Sequence, residues 1–63
     1  MEAYQERVVA EKKELDEKIS KLEAFIQSYR FVDISEDDQD LLPRQLKAMR
    51  EYASILGERI FGF

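Results

Sequence analysis

Apolar residues recur at helical spacing in both halves of the chain. In the second half they step by 4, 3, 4, 3, 4 and 3 positions, at Leu42, Leu46, Met49, Ala53, Leu56, Ile60 and Phe63. In the first half the same spacing holds for Val8, Leu15, Ile19, Leu22, Ile26 and Tyr29. Lys12 stands at the one position where an apolar residue is due. Such steps place side chains on the face of a helix that packs against another helix. The pattern predicts an all-α fold, a two-helix antiparallel hairpin.

An N-cap residue and a proline guide the predicted helix boundaries. We expect helix 1 over about residues 2–28, an acidic turn over about 29–36 and helix 2 over about 37–61, in a single domain. Ser35 is a good N-cap, because acidic residues follow it at the positive end of a helix. Pro43 lies inside the second segment and removes a helical hydrogen bond. Two arrangements fit: a short helix at 36–41 followed by a new helix near Pro43, or one helix kinked at Pro43.

A hairpin of this size cannot cover all of its apolar residues. The chain has 63 residues, near the lower limit for a stable single core. In a hairpin, each helix shields only one side of the other. Further apolar residues lie outside the two stripes, at Tyr4, Phe25, Leu41, Tyr52 and Ile55. Burying them requires more helices, so we expect the hairpin to assemble into a homo-oligomeric helical bundle.

The composition argues against catalysis and against metal binding. The chain contains no cysteine and no histidine, and so lacks a thiol nucleophile, the commonest general base and the commonest transition-metal ligand. The acidic stretch at residues 33–40 lacks the glycine and the terminal glutamate of a calcium loop. We therefore expect no enzyme, no catalytic residue, no metal and no cofactor.

The distribution of charge limits the classes of partner. The formal net charge is −4, and residues 33–40 carry five acids and no base. No basic cluster is present that could neutralise several phosphates, which argues against a DNA or RNA partner. A small phosphorylated ligand needs only two or three cations. No apolar run approaches the roughly 20 residues of a membrane span, and no signal peptide is evident. We expect a cytoplasmic protein without a membrane partner.

A few polar and aromatic residues are candidates for binding a ligand. Lys12 either specifies the register of the hairpin or contacts a ligand. Lys18 and Ser20 are expected near one another on the flank of helix 1. Antiparallel packing places Arg59 near residues 2–7 and, across an oligomer interface, near Lys18; ordinary surface positions are the alternative for these charges. Tyr4 either caps the bundle or stacks on a planar ligand such as a nucleobase.

The chain resembles a family of small bacteriophage helical-hairpin proteins, the anti-CBASS and anti-Thoeris cyclic-nucleotide sponges. The resemblance covers YQERVVAEKKELDEKISKLEAFI and, after the turn, LLPRQLKAMREYASILGERI. Its most specific positions are Arg7-Val8, Glu11-Lys12, Leu15-Asp16-x-Lys18, Phe25-Ile26, Gln45, Met49, Tyr52 and Leu56-Gly57-Glu58-Arg59-Ile60. Pro43 departs from the helix-forming residue expected at that position.

The resemblance implies a function and a set of ligand-binding residues. Members of this family look like homo-hexamers that bind cyclic di- and trinucleotide messengers in the infected cell without cleaving them. The positions that match the family's binding residues are Tyr4, Lys18, Ser20 and Arg59, with Arg7 as a weaker match. The alternative is a structural or adaptor oligomer whose face docks a host or phage protein. The apolar stripes fit both functions equally well.

Overall fold

The computed structural model describes residues 1–63 and consists of two long helices joined by a short one. Helix α1 spans Ala3–Ile26, a 3-10 helix spans Tyr29–Asp33, and helix α2 spans Glu36–Phe61. The molecule measures 45 × 14 × 13 Å. The two long helices run antiparallel. Tyr4, near the start of α1, contacts Phe63 after the end of α2, and Glu23, near the end of α1, pairs with Arg50 in the middle of α2. The structure confirms the predicted all-α antiparallel hairpin.

The two apolar stripes face each other and form the core. Four side chains are buried: Val8, Leu46 and Ala53 are each 7% exposed, and Leu56 is 1% exposed. Most of the other stripe residues are half-buried along the same contact: Leu15, Ile19, Leu22, Ile26, Leu42, Met49 and Ile60. Tyr29 departs from the predicted stripe and is 82% exposed, because α1 ends at Ile26 and the chain turns there.

One glutamine side chain holds the connection between the helices together. The Gln39 amide nitrogen lies 3.3, 3.2 and 3.3 Å from the carbonyl oxygens of Phe31, Val32 and Ile34 and donates to them. These carbonyls belong to the 3-10 helix and the residue that follows it. Gln39 itself lies in the first turns of α2, so its amide ties the connection to that helix.

Helix α2 begins where the sequence predicts a cap. The Ser35 Oγ accepts a 3.1 Å hydrogen bond from the backbone N–H of Asp38, and three acidic residues fill the first turn. Of the two arrangements considered for Pro43, the structure has one continuous helix, with Pro43 inside α2. Pro43 is exposed, and Leu42 and Leu46 pack on α1 on either side of it. These flanking contacts hold the helix together across the hydrogen bond that proline cannot make.

Candidate ligand-binding face

Two aromatic rings meet at the end of the hairpin opposite the 3-10 helix. The ring centroids of Tyr4 and Phe63 lie 5.9 Å apart with an interplanar angle of 76°, an edge-to-face arrangement. Arg7 follows Tyr4 by three residues, and Arg59 precedes Phe63 by four. Residues three apart on a helix are neighbours on one face, so Arg7 adjoins the Tyr4 ring, whereas Arg59 lies in the last turn of α2, just before the segment that carries Phe63. We call Tyr4, Arg7, Arg59 and Phe63 the Tyr4 cluster.

The arginines of the Tyr4 cluster are exposed and unpaired. Neither Arg7 nor Arg59 forms an ion pair, whereas Arg44 pairs with Asp40 and Arg50 with Glu23. The Tyr4 side chain is 52% exposed, so part of its ring is open to solvent. An open aromatic ring beside free guanidinium groups can stack on a planar base and hydrogen-bond to an anion. The structure places Tyr4, Arg7 and Arg59 at the same end of the hairpin.

Lys18 lies on the same side of α1 as Tyr4 and Arg7 but several turns further along the helix. Steps of 3, 4, 3 and 4 lead from Tyr4 to Lys18 through Arg7, which keeps all three on one face. The distance along the axis is about 21 Å for these fourteen residues at the helical rise of 1.5 Å. Lys18 is exposed and forms no ion pair. A single hairpin therefore does not place Lys18 beside Tyr4.

Ser20 lies on a different face from Lys18, contrary to the expectation that the two are neighbours. Residues two apart on a helix point in different directions. Ser20 lines an open depression on α1, and Lys18 is not part of it. The lining residues of this depression are Val9, Lys12, Lys13, Asp16, Glu17, Ser20 and Lys21. Within one chain, Lys18 and Ser20 therefore do not line the same depression.

Lys12 packs against α2 of the same hairpin. Its Nζ donates a 2.8 Å hydrogen bond to the Asp16 carboxylate, and its side chain is 32% exposed. A Cβ atom at Gly57 would lie 3.3 Å from the Lys12 Cε. Gly57 thus makes room for the Lys12 side chain. This geometry supports the interpretation of Lys12 as a residue that sets the helix register.

A second stripe on α2 remains uncovered. It runs in steps of 4, 3, 4, 3 and 4 and consists of Leu41, Gln45, Ala48, Tyr52, Ile55 and Arg59. We call it the outer stripe of α2. Leu41, Tyr52 and Ile55 are 49%, 43% and 51% exposed. Because Arg59 belongs to both, the outer stripe leads along α2 into the Tyr4 cluster.

Two features of this face were not predicted from the sequence. Leu41, Tyr52 and Ile55 were recognised as apolar residues outside the buried stripe of α2 (the inner stripe), but not as members of one stripe, although their spacing in the sequence carries that signal. Phe63 was assigned to the inner stripe, whereas it is 39% exposed and contacts the Tyr4 ring. That contact depends on the register of the two helices, which the periodicity of either helix alone does not fix.

The structure provides no group of three acidic side chains that could hold a metal ion. Neither helix is both long and apolar enough to cross a bilayer.

Comparison with known proteins assigns the chain to a family. The Sequestin family matches residues 2–61. The chain belongs to the Sequestin family. It is also 41% identical, over 63 residues, to a protein of Enterobacteria phage T4 described as "Uncharacterized 7.5 kDa protein in denB-rIIB intergenic region". That alignment covers 100% of this chain and 98% of the phage protein. No solved structure gives a significant match.

These matches support a bacteriophage origin for this Sequestin-family protein. The family name points to sequestration, that is, to binding without turnover, and no enzyme family is indicated.

Proposed function

We propose that this Sequestin-family protein binds cyclic di- or trinucleotide messengers and sequesters them without cleavage. In the cytoplasm of an infected bacterium, this binding blocks CBASS-type immunity by keeping the messenger from its effector. The single observation that carries the proposal is the Tyr4 cluster, an open aromatic ring beside two unpaired arginines. The family resemblance supplies the class of ligand.

The chemistry of the Tyr4 cluster suits a cyclic oligonucleotide. Each base of such a ligand is planar and can stack on Tyr4, and each phosphate carries a negative charge that Arg7 or Arg59 can hydrogen-bond. Few cations are required, because the ligand carries only two or three phosphates. The same face has too few cations to track the backbone of DNA or RNA.

The positions of Lys18 and Ser20 lead us to propose that the site is shared between copies of the chain. Lys18 lies about 21 Å from Tyr4 along α1, beyond the reach of one small ligand held by both. A second hairpin can bring its own Lys18 or Ser20 to the Tyr4 cluster of the first. The proposed assembly is a homo-oligomer, and the family resemblance implies a hexamer.

The exposed outer stripe of α2 supports self-association. Only four of the 63 residues are buried within one hairpin, a small core for a chain of this length. If the same stripe of a second copy covers Leu41, Tyr52 and Ile55, the core becomes larger and the exposed apolar stripes of both copies are buried.

The experiment is a calorimetric and thermal-shift screen against cyclic di-AMP, cyclic di-GMP and cyclic tri-AMP. A ligand at 100 times its dissociation constant adds about 2.7 kcal/mol to the stability of the folded state, which raises the melting temperature measurably. Tyr4→Ala is expected to cost about 1–3 kcal/mol of binding, the scale of one stacked base. Arg59→Ala is expected to cost at least as much, since a charge-assisted bond to phosphate is lost.

Controls separate binding from folding and from catalysis. Glu36→Ala changes an exposed acid at the other end of the hairpin and should leave affinity nearly unchanged. Denaturing a loaded sample should release the intact cyclic nucleotide, whereas a linear product in nuclease-free samples would contradict sequestration. Full affinity in both Tyr4→Ala and Arg59→Ala would contradict the site.

The alternative function is an adaptor that docks a host or phage protein. The observation in its favour is the same outer stripe of α2, since exposed Tyr52 and Ile55 can pack against a foreign helix. A protein that binds none of the three nucleotides would leave the adaptor oligomer as the better account.

A further inference from the structure

Phe63 contacts the ring to which the proposed function assigns base stacking. Its ring meets Tyr4 edge to face, with centroids 5.9 Å apart. In an edge-to-face pair, the edge of one ring covers at most one face of the other. Phe63 therefore leaves at least one face of the Tyr4 ring uncovered, in keeping with the 52% exposure of Tyr4.

Backbone hydrogen bonds after α2 fix the position of Phe63. The N–H of Gly62 donates to the carbonyls of Glu58 and Arg59, and the N–H of Phe63 donates to the carbonyl of Ile60 at 3.1 Å. These bonds continue the turn beyond Phe61 and carry Phe63 back toward α1. Residues just beyond a helix are poorly ordered unless such contacts hold them.

Phe61 provides the contrast within the same turn. It lies two residues before Phe63 and is 95% exposed, against 39% for Phe63. Two phenylalanines of the same segment thus differ in their surroundings, and only Phe63 contacts an aromatic ring. The pair provides a matched control for any effect of losing a phenylalanine at this end of the molecule.

We propose that Phe63 is a positioning residue for ligand recognition, which orients the Tyr4 ring so that its free face is presented to a planar base. This inference rests on the proposed function. Tyr4 is in the first turns of α1, where the side chain otherwise samples several rotamers in solvent. The edge-to-face contact restricts that freedom before the ligand binds. Binding therefore costs less conformational entropy of the Tyr4 side chain.

The expected effect follows from the strength of aromatic pairs. Removing the ring of Phe63 should weaken nucleotide binding about two- to twelvefold, the range that corresponds to one aromatic pair. Phe63→Leu removes the ring and keeps apolar bulk, whereas Phe63→Tyr keeps the ring. Phe61→Leu makes the same chemical change at the exposed position.

The test is isothermal titration calorimetry with cyclic di-AMP, cyclic di-GMP and cyclic tri-AMP. Circular dichroism and the molar mass of each variant check that fold and assembly are retained. We expect weaker binding for Phe63→Leu, parental binding for Phe61→Leu and recovered binding for Phe63→Tyr. A double-mutant cycle adds a second criterion. In the Tyr4→Ala background, Phe63→Leu should have no further effect, because Phe63 acts through Tyr4.

A spectroscopic readout follows the orientation itself. The ring protons of Tyr4, observed by NMR without ligand, should shift in Phe63→Leu and stay unchanged in Phe61→Leu. Parental affinity in Phe63→Leu, with the parent binding normally, would overturn the positioning role and leave the proposed function intact. Losses from Tyr4→Ala and Phe63→Leu that add in full would also overturn the positioning role alone. A parent protein that binds none of the three nucleotides would overturn both proposals.

Discussion

Ile55 and Leu56 are neighbours in sequence, and their substitution by aspartate should have opposite consequences. Leu56 is 1% exposed, so Leu56→Asp places a charge in the core of the hairpin and should unfold it. Ile55 is 51% exposed. In an isolated hairpin, Ile55→Asp is a surface change, expected to alter the free energy of unfolding by about 0.5 kcal/mol at most.

Ile55→Asp should strongly weaken association if the outer stripe of α2 is covered by a second copy. An unpaired carboxylate buried at that interface costs about 3 kcal/mol or more. Since each 1.4 kcal/mol changes an equilibrium constant tenfold, the dissociation constant of the interface should rise by about two orders of magnitude.

Light scattering during size-exclusion chromatography, over a series of protein concentrations, measures this change. The parent should elute at a multiple of 7.5 kDa, and Ile55→Asp should move toward 7.5 kDa at the same concentration. Val32→Asp is the matched control, because Val32 is apolar, 74% exposed and outside the outer stripe. An Ile55→Asp protein with the parental mass, or a parent that is a 7.5 kDa monomer, would refute the proposed interface.

Two further changes test the packing of the hairpin itself. Gly57→Ala should raise the free energy of unfolding by up to about 1 kcal/mol, because alanine is the better helix former. The melting temperature should rise with it. The new Cβ would lie 3.3 Å from the Lys12 Cε, and that flexible side chain can move by a few tenths of an ångström; a lower melting temperature would contradict this reasoning. Gln39→Leu should lower the free energy of unfolding by about 1–2 kcal/mol, because it removes the hydrogen-bond donor that three carbonyl oxygens share. Hydrogen exchange should then accelerate first in the 3-10 helix, and unchanged exchange there would show that Gln39 does not hold the connection.

The fold could be predicted from the sequence because one signal determines it. Unbroken steps of three and four over several turns define a helix and its buried face, and two such faces in one short chain pair with each other. The Ser35 cap followed from local chemistry in the same way. Pro43 was harder, because local propensity favours a break there, whereas packing of Leu42 and Leu46 on α1 sustains one helix.

The candidate site was predictable only in part. Helical geometry already separates Lys18 from Ser20, so their different faces could have been inferred from the two-residue spacing. The meeting of Tyr4 with Phe63 required the register of the hairpin, which the spacing of apolar residues within either helix does not give. Gln39 carries no sequence signal of its own, since its amide acts on backbone carbonyls that any sequence provides.

The separation of Lys18 from the Tyr4 cluster makes assembly and binding interdependent under the proposed function. A ligand that contacts Tyr4 of one copy and Lys18 of another stabilises the assembled state alone. Linkage then requires the reverse effect, so that assembly strengthens ligand binding by the same factor by which the ligand strengthens assembly. Ile55→Asp should therefore lose nucleotide affinity together with its oligomeric mass, although Ile55 is not one of the proposed ligand-binding residues. A variant that becomes monomeric and still binds with parental affinity would place the whole site within one hairpin, with Tyr4, Arg7 and Arg59 sufficient for it.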